Sequence, residues 1–206
     1  MTSPLTSWIE APAARQGIRF LRNGAWDLCA YADLAEFARR VAGGIAASGV
    51  QPDDRVLVVE RTGPEFVAAL YGVMLAGAVP CPVAPPHLFQ SQVLYTRHLD
   101  AISEVARPSM VITTASLVER LTGSGHGGRE TRVRTAAELA SRGECASGPP
   151  ASTALLQFTS GSSGRVKGVR VPVSALAANI AAISNWLEMA EGDVTASWLP
   201  VHHDMG

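Results

Sequence analysis

The fold of this chain is decided by a stretch that begins with Arg55-Val56-Leu57-Val58-Val59-Glu60. This short, continuous apolar run is typical of a strand that is covered on both faces. Apolar residues then recur at helical spacing from Phe66 to Gly77, and Val79-Pro80-Cys81-Pro82-Val83 predicts the next strand. A strand, a helix and a second strand in this order indicate two parallel strands joined by a crossover helix.

The same alternation continues on both sides of that stretch. Upstream, a helix is predicted that ends near Gly49, where a C-terminal cap is expected; its apolar residues are Leu34, Phe37, Ala38, Val41 and Ile45. Downstream, the pattern predicts a helix from about Ser91 to Ala106 and a strand from Ser109 to Thr113. The fold class is therefore α/β, a layered and mostly parallel sheet flanked by helices.

One segment has the length of a membrane span. Residues 66–83 contain no charged side chain over 18 positions. Pro80 and Pro82 would break a helix near its end, and Gly72 and Gly77 dilute its apolar character. The sequence therefore favours a buried helix followed by a strand over a membrane span.

Composition limits the classes of function. With 47% hydrophobic and 17% charged residues, the chain is typical of a folded protein, and its net charge of −1 gives no electrostatic reason to expect nucleic acid or anionic membrane as a partner. The three cysteines are far apart and form no Cys-x-x-Cys pair, which argues for a reducing compartment and against a zinc site. Residues 1–17 lack the pattern of a secretion signal, so a cytoplasmic location is predicted.

The chain has a single lysine, Lys167, and it lies in Thr159-Ser160-Gly161-Ser162-Ser163-Gly164-Arg165-Val166-Lys167-Gly168. Glycines and hydroxyl side chains in such a stretch supply backbone N–H groups and O–H donors that can surround an anion. A lysine adds a compact, mobile positive charge. The stretch therefore predicts a site for a triphosphate, although a β-hairpin turn rich in Gly and Ser would have the same composition.

The flanking pattern separates this stretch from two common phosphate loops. Lys167 is followed by Gly168, and Val166 stands where a Walker A loop needs glycine. A strand from Thr153 to Phe158 and a short apolar stretch from Gly168 to Val171 flank the loop, before a helix from about Ser174 to Met189 with Ser174 as its N-cap. Strand–loop–strand order means that no helix dipole points at the phosphates. A last strand is predicted from Val194 to Trp198.

The order of residues carries a family resemblance. Leu156-Gln157-Phe158-Thr159-Ser160-Gly161-Ser162-Ser163-Gly164, followed by Lys167-Gly168-Val169, resembles the phosphate-binding signature of the adenylate-forming enzymes, which include acyl-CoA synthetases, the adenylation domains of peptide synthetases, and luciferase. Trp198-Leu199-Pro200-Val201-His202-His203-Asp204-Met205-Gly206 resembles the superfamily's Pro-x-x-His-x-x-Gly segment and is most similar to its fatty acyl-AMP ligase form. The run Pro80-Cys81-Pro82-Val83-Ala84-Pro85-Pro86 is similar to the opening region of that branch.

The resemblance implies a reaction in which a fatty acid attacks the α-phosphate of ATP, with Mg²⁺, to give acyl-AMP and pyrophosphate. The acyl group would then pass to the phosphopantetheine thiol of an acyl carrier protein. The residues that the resemblance assigns to ATP are Thr159, Ser160, Gly161, Ser162, Ser163, Gly164 and Lys167. It makes Thr159 a magnesium ligand through its hydroxyl, and it places His203 where the acyl carboxylate meets the nucleotide.

Without the resemblance, His202-His203-Asp204 would suggest a metal site. Adjacent histidines on an extended segment point in opposite directions, which disfavours the binding of one ion by both. Asp204 is expected to be a turn or cap residue.

The resemblance also implies a domain organisation. Residues 1–206 would form an incomplete N-terminal AMP-binding domain, with a first α/β part at 1–150 and the phosphate loop and Pro-x-x-His-x-x-Gly segment at 151–206. The adenine contacts, the acidic magnesium ligand, the ribose-binding aspartate and the C-terminal catalytic lysine would lie further on, so these 206 residues are not expected to run the full reaction alone. Two alternatives remain: an acyl-CoA synthetase or amino-acid adenylating domain, and a non-catalytic fragment that binds a nucleotide or a protein partner.

Overall fold

The computed structural model describes residues 3–22, 24–86, 91–122, 131–160 and 165–202, with the backbone alone for residue 160. A central sheet of four strands has the order β4-β3-β5-β6, and every neighbouring pair is parallel. Its strands are β3 (Arg55–Val59), β4 (Val79–Pro82), β5 (Met110–Thr113) and β6 (Arg132–Arg134). The predicted parallel α/β fold is confirmed.

Helices cover both faces of this sheet. On one face lie α2 (Tyr31–Ala47), α3 (Pro64–Leu75) and α6 (Ala136–Arg142); on the other lie α4 (Gln92–Ala106) and α5 (Ala115–Thr122). Val56 and Val58 belong to the core cluster under α2, α3 and α6, which we call the first core cluster. Leu57 and Val59 belong to the second core cluster, under α4 and α5. Successive strand residues point to opposite faces, so a continuous apolar run is what a strand between two layers requires.

A glycine allows the helices on the first face to approach each other closely. A Cβ added at Gly44 of α2 would lie 2.2 Å from the backbone oxygen of Leu139 in α6. The turn after α2 also uses glycine, since Gly49 has a φ of +79°, as the predicted cap position requires.

The uncharged stretch of residues 66–83 is divided between α3 and β4. No helix of the described residues has both the length and the apolar character needed to cross a membrane.

The amino-terminal part contains elements that the sequence pattern did not predict. A short helix α1 (Ser7–Glu10) packs on α2, and the strands β1 (Gly17–Arg22) and β2 (Ala25–Ala30) form an antiparallel pair. The ring of Trp8 meets the rings of Tyr31 and Tyr71 edge to face, at centroid distances of 5.7 and 5.0 Å. These contacts attach the amino-terminal part to α2 and α3.

The second half of the chain is built on another antiparallel pair, β7 (Thr153–Ser160) and β8 (Val166–Pro172), followed by helix α7 (Val173–Trp186). The predicted strand–loop–strand–helix order is therefore confirmed. The predicted N-cap at Ser174 is wrong, because the helix already begins at Val173 and Pro172 takes the cap position. Helix α7 ends at Trp186, three residues before the predicted end at Met189. Glu188, between these two positions, has a φ of +51°, which a helix does not allow.

The strand predicted from Val194 to Trp198 is also wrong. This segment has no regular structure, and Val194 and Trp198 are 88% and 92% exposed. Its alternation of apolar and polar residues is the pattern of a strand, but none of the described strands pairs with it.

Candidate functional site

The carboxyl ends of the central strands form the place where ligands usually bind in such a sheet. The chain leaves β3 toward β4 on one side, and it later crosses from β4 to β5 on the other side of β3. This arrangement opens a crevice beyond the carboxyl ends of β3 and β5, known as a topological switch point. The segments that follow these strands are therefore the first candidates for a site.

A groove of about 560 Å³ lies at this edge; we call it the carboxyl-edge groove. Its lining residues are Arg61, Pro85, Pro86, Gln92, Tyr95, Thr96, Thr114, Ser116, Leu117, Arg120 and Leu121. With the Gln92 amide oriented so that its oxygen faces Arg120, that oxygen accepts hydrogen bonds of 3.1 and 2.7 Å from the guanidinium. Two guanidinium groups and no carboxylate among these residues make the groove suitable for an anion.

Strand β7, which precedes the phosphate loop predicted from the sequence, packs beside the central sheet. Ser152 and Thr153, at the start of β7, line one groove with Arg55 and Val79, at the amino ends of β3 and β4. β7 contacts β4 along the side of the sheet. The strand that precedes the predicted phosphate loop thus starts at the amino edge of the sheet and contacts β4.

Lys167 and Thr159 lie directly opposite each other on β8 and β7. Residues opposite each other in an antiparallel pair project on the same face, so the ammonium and the hydroxyl share one face. Both residues are exposed, and none of the ion pairs in the described part of the chain involves Lys167. This face therefore presents one cation and one hydroxyl beside the Gly/Ser loop.

Gly168 has a packing role next to Lys167. A Cβ at this position would lie 3.3 Å from side-chain atoms of Leu156 in β7 and Val105 in α4. The absence of a side chain lets β8 lie close to α4, and this contact holds the strand that carries Lys167.

Four of the predicted phosphate-binding residues, Gly161, Ser162, Ser163 and Gly164, lie outside the described residues, as do His203 and Asp204. Of Ser160 only the backbone is described, and it is opposite Val166. The structure therefore describes two of the predicted side chains, Thr159 and Lys167, and these two it brings together.

The segment that leads to His203 reaches the carboxyl edge through Val201. The backbone N–H of Val201 donates a hydrogen bond of 3.3 Å to Oγ1 of Thr62, in the loop between β3 and α3. The side chain of Val201 packs against the first core cluster. Two segments that are 139 residues apart in sequence thus meet beyond β3.

A buried carboxyl group lies in the same loop. Glu60 follows β3, is 4% exposed, and accepts a hydrogen bond from the backbone of Arg61. Burial raises its pKa to about 7, with a further contribution from the negative charge of Glu65. Burial thus brings the pKa of this carboxyl into the neutral range.

Thr159 fits a magnesium ion as one ligand among several. Mg²⁺ in nucleotide sites takes few protein oxygens and completes its shell with phosphate oxygens and water. Among the described residues, no three His, Cys, Asp or Glu side chains form a group that could hold a metal ion.

The sequence pattern did not identify Thr62 or the two arginines of the carboxyl-edge groove. Arg61 and Arg120 are 59 positions apart in the chain, and neither belongs to a recognisable spacing. The signal that could have identified the arginines was their place in the chain. Arg61 follows strand β3 and Arg120 lies in the helix after β5, where residues of a topological switch point are found.

A family model and individual relatives give the same result when this chain is compared with known proteins. The family described as AMP-binding enzyme matches residues 9–206. The long-chain-fatty-acid–AMP ligase FadD32 of Mycobacterium marinum is 29% identical over 174 residues, which are 81% of this chain and 27% of that protein. The 4-hydroxyphenylalkanoate adenylyltransferase of the same organism is 32% identical over 175 residues, 79% of this chain and 27% of that protein.

Among solved structures, the fatty acyl-adenylate ligase of L. pneumophila in complex with acyl adenylate and pyrophosphate is similar, with a TM-score of 0.80 and 27% identity. The match covers 97% of this chain and 34% of that structure. The chain thus spans roughly a third or less of each of these relatives.

Proposed function

The chain belongs to the family of AMP-binding enzymes, and from this membership we propose that it is part of a ligase that activates a fatty acid with ATP as acyl-AMP. The observation that supports this most directly is the pairing of Lys167 with Thr159 on one exposed face of the β7–β8 pair. The chain's single lysine and a hydroxyl stand together at the end of a Gly/Ser loop, where a triphosphate needs a cation and oxygen ligands.

The chemical difficulty of the reaction is the approach of two anions, a carboxylate and a triphosphate. Catalysis therefore depends on holding both groups in place and on neutralising their charge. In the proposed arrangement Lys167 and the amides of residues 161–164 bind the β- and γ-phosphates, together with the hydroxyls of Ser160, Ser162 and Ser163. Thr159 contributes one oxygen to the magnesium ion, whose chemistry is to neutralise the phosphate oxygens.

His203 is proposed to orient the acyl carboxylate. A neutral imidazole can donate a hydrogen bond to a carboxylate without forming a tight ion pair that would reduce its nucleophilicity. Val201, two positions earlier, is attached to the carboxyl edge of the sheet through Thr62. This attachment of the preceding segment to the carboxyl edge supports the proposed role of His203.

The acyl acceptor is proposed to be the phosphopantetheine thiol of an acyl carrier protein. The charge of the carboxyl-edge groove supports an acceptor of this class, because a phosphopantetheine carries a phosphodiester that two guanidinium groups can bind. Coenzyme A carries the same pantetheine thiol, with a diphosphate in place of the phosphodiester, so an acyl-CoA synthetase remains the second candidate. Product analysis with carrier protein and with coenzyme A as competing acceptors separates the two.

The proposed function is tested by measuring how acyl-AMP formation in the intact protein depends on the ATP concentration. Pyrophosphate exchange is the assay. Lys167→Ala should raise the KM for ATP about 10- to 100-fold, because a charge-assisted hydrogen bond contributes about 1.5–3 kcal/mol. Lys167→Arg should recover part of the loss. Arg165→Ala is the matched control, since it removes a neighbouring exposed cation and should change the KM much less.

An unchanged KM for ATP in Lys167→Ala would contradict the assignment of this loop. Binding of ATP without any acyl-AMP from a panel of fatty, aryl and amino acids would instead favour a non-catalytic nucleotide-binding protein.

A further inference from the structure

The groove between the start of β7 and the amino ends of β3 and β4 lies at the opposite edge of the sheet from the carboxyl-edge groove; we call it the amino-edge groove. Its volume of about 670 Å³ is in the range of small-molecule sites. Three arginines from three elements line it: Arg55 of β3, Arg107 at the end of α4 and Arg170 of β8.

Strand β8 presents Arg170 and Lys167 on opposite faces. Arg170 shares a face with Gly168, where a Cβ would lie 3.3 Å from the side chain of Val105 in α4. On β7 it stands opposite Leu156, a residue of the second core cluster. Arg170 therefore lies away from the face that presents Lys167, and the amino-edge groove is separate from the proposed ATP site.

The three guanidinium groups differ in how far they are already bonded. Arg55 donates to the backbone oxygens of Ala106 and Arg107, at 2.6 and 3.5 Å, and so closes the end of α4. Arg170 donates to Oγ1 of the buried Thr153 at 2.8 Å, which orients its guanidinium and leaves its other N–H groups open. The exposed side chain of Arg107 has no hydrogen bond or ion pair with any described residue. Arg107 and Arg170 can therefore donate to an anion.

Arg107 has a backbone conformation that favours glycine. It ends α4 with a φ of +47°, and its N–H donates to the backbone oxygen of Ser103 at 2.7 Å. Glycine is the usual residue at such a helix end, because a Cβ is disfavoured there. Asp53, which also lines the groove, has a φ of +63°. Two of the three described non-glycine residues with positive φ thus lie at one groove, and residues of this kind cluster at ligand sites.

The carboxylates of Asp53 and Glu104 also line the groove, and none of the ion pairs in the described part of the chain joins them to its arginines. Carboxylates can accept hydrogen bonds from the hydroxyls of a sugar, as acidic residues do from ribose in nucleotide sites. We propose that the amino-edge groove binds a phosphorylated sugar, either free or as part of a nucleoside phosphate. The phosphate contacts Arg107 and Arg170, and the sugar hydroxyls donate to Asp53 and Glu104.

Isothermal titration calorimetry of the intact protein tests this site, with ribose 5-phosphate and AMP as probes. Arg107→Gly and Arg170→Ala should each weaken binding about tenfold to a hundredfold, because each removes a charged hydrogen-bond donor. Arg107→Gly should change the Tm little, because relief of the left-handed conformation offsets the greater freedom of glycine in the unfolded chain. A loss of binding in this variant is then not a loss of folding. Arg97→Ala is the matched control and should keep the affinity, since Arg97 is an exposed arginine of the same helix that does not line the groove.

The two probes separate the sources of the sugar phosphate. Ribose 5-phosphate that binds as tightly as AMP would indicate a free sugar phosphate, and binding of AMP alone, with the same dependence on Arg107, would indicate a nucleoside phosphate; either result supports the proposal. No binding of either probe, or equal affinity in the wild type and both arginine variants, would overturn it. Inorganic phosphate that binds as tightly as ribose 5-phosphate would also overturn it, because the carboxylates would then contribute nothing.

Lys167→Ala keeps this test distinct from that of the proposed function. It should leave the affinity for ribose 5-phosphate unchanged, whatever it does to the KM for ATP. A loss of ribose 5-phosphate binding in Lys167→Ala would place the sugar phosphate at the phosphate loop and overturn the inference.

Discussion

Glu60 shows how a single buried residue makes the stability of the folded protein depend on pH. In the folded protein it retains its proton up to about pH 7, whereas its ordinary pKa is 4.5. Between these values the folded state binds one proton more than the unfolded state, so the free energy of unfolding falls as the pH rises. The contribution of Glu60 is fully present below pH 4.5 and is lost as the pH passes 7.

We therefore expect Glu60→Gln to remove part of the pH dependence of stability. The free energy of unfolding of the wild type should decrease relative to Glu60→Gln between pH 5 and pH 8, by up to a few kcal/mol at about 1.4 kcal/mol per unit of pKa shift. Urea titrations at four pH values measure this difference. Glu119→Gln is the control, at an exposed position of α5. Its free energy of unfolding should change with pH in the same way as that of the wild type. A Glu60→Gln curve that also runs parallel would show that the carboxyl titrates normally.

At this scale the sequence predicted residues within motifs and missed residues outside them. Lys167 could be predicted because a single lysine in a Gly/Ser stretch is a local signal, and the structure places it exposed beside Thr159. Thr62 could not, because its partner is 139 residues away. Glu60 is buried by tertiary packing, which the chain order alone does not give.

The elements themselves differ in how well their patterns predict them. Strands β3 and β5 are buried on both faces, so their apolar runs are continuous and easily identified. The β1–β2 pair has an outer face with exposed Leu21, Trp26 and Leu28, and this disrupts the alternation that would have predicted it. Strand β6 has three residues, which is too short for any periodicity.

The contact between α2 and α6 provides a test at the scale of elements. Gly44→Ala should destabilise the protein by about 1–3 kcal/mol, because the added methyl group would enter the backbone of Leu139 and the helices would have to separate. Thermal unfolding followed by circular dichroism measures this loss. Ala46→Ser, at an exposed position of the same helix, should change stability by less than about 0.5 kcal/mol. A stable Gly44→Ala protein would mean that α2 and α6 are farther apart than described.

The whole molecule divides into a well-packed part and a sparsely packed part. The central sheet holds two core clusters, one under each layer of helices. Helix α7 has no buried residue, and Ile180, Ile183 and Trp186 are exposed on it. Its 14 residues include no Asp, Glu, Lys or Arg. The sequence predicted this helix, but an apolar helix pattern alone cannot show whether other parts of the protein cover it.

We expect hydrogen exchange to divide the 206-residue chain in the same way. Amides of α2 should be protected by several kcal/mol, because Val41 and Ile45 lie in the first core cluster, whereas amides of α7 should exchange near the rate of an isolated helix. Exchange followed by mass spectrometry at several urea concentrations measures both. Protection of α7 equal to that of α2 would contradict this division and would mean that its apolar face is covered in solution. The mass of the particle from light scattering would then show whether a second copy covers it.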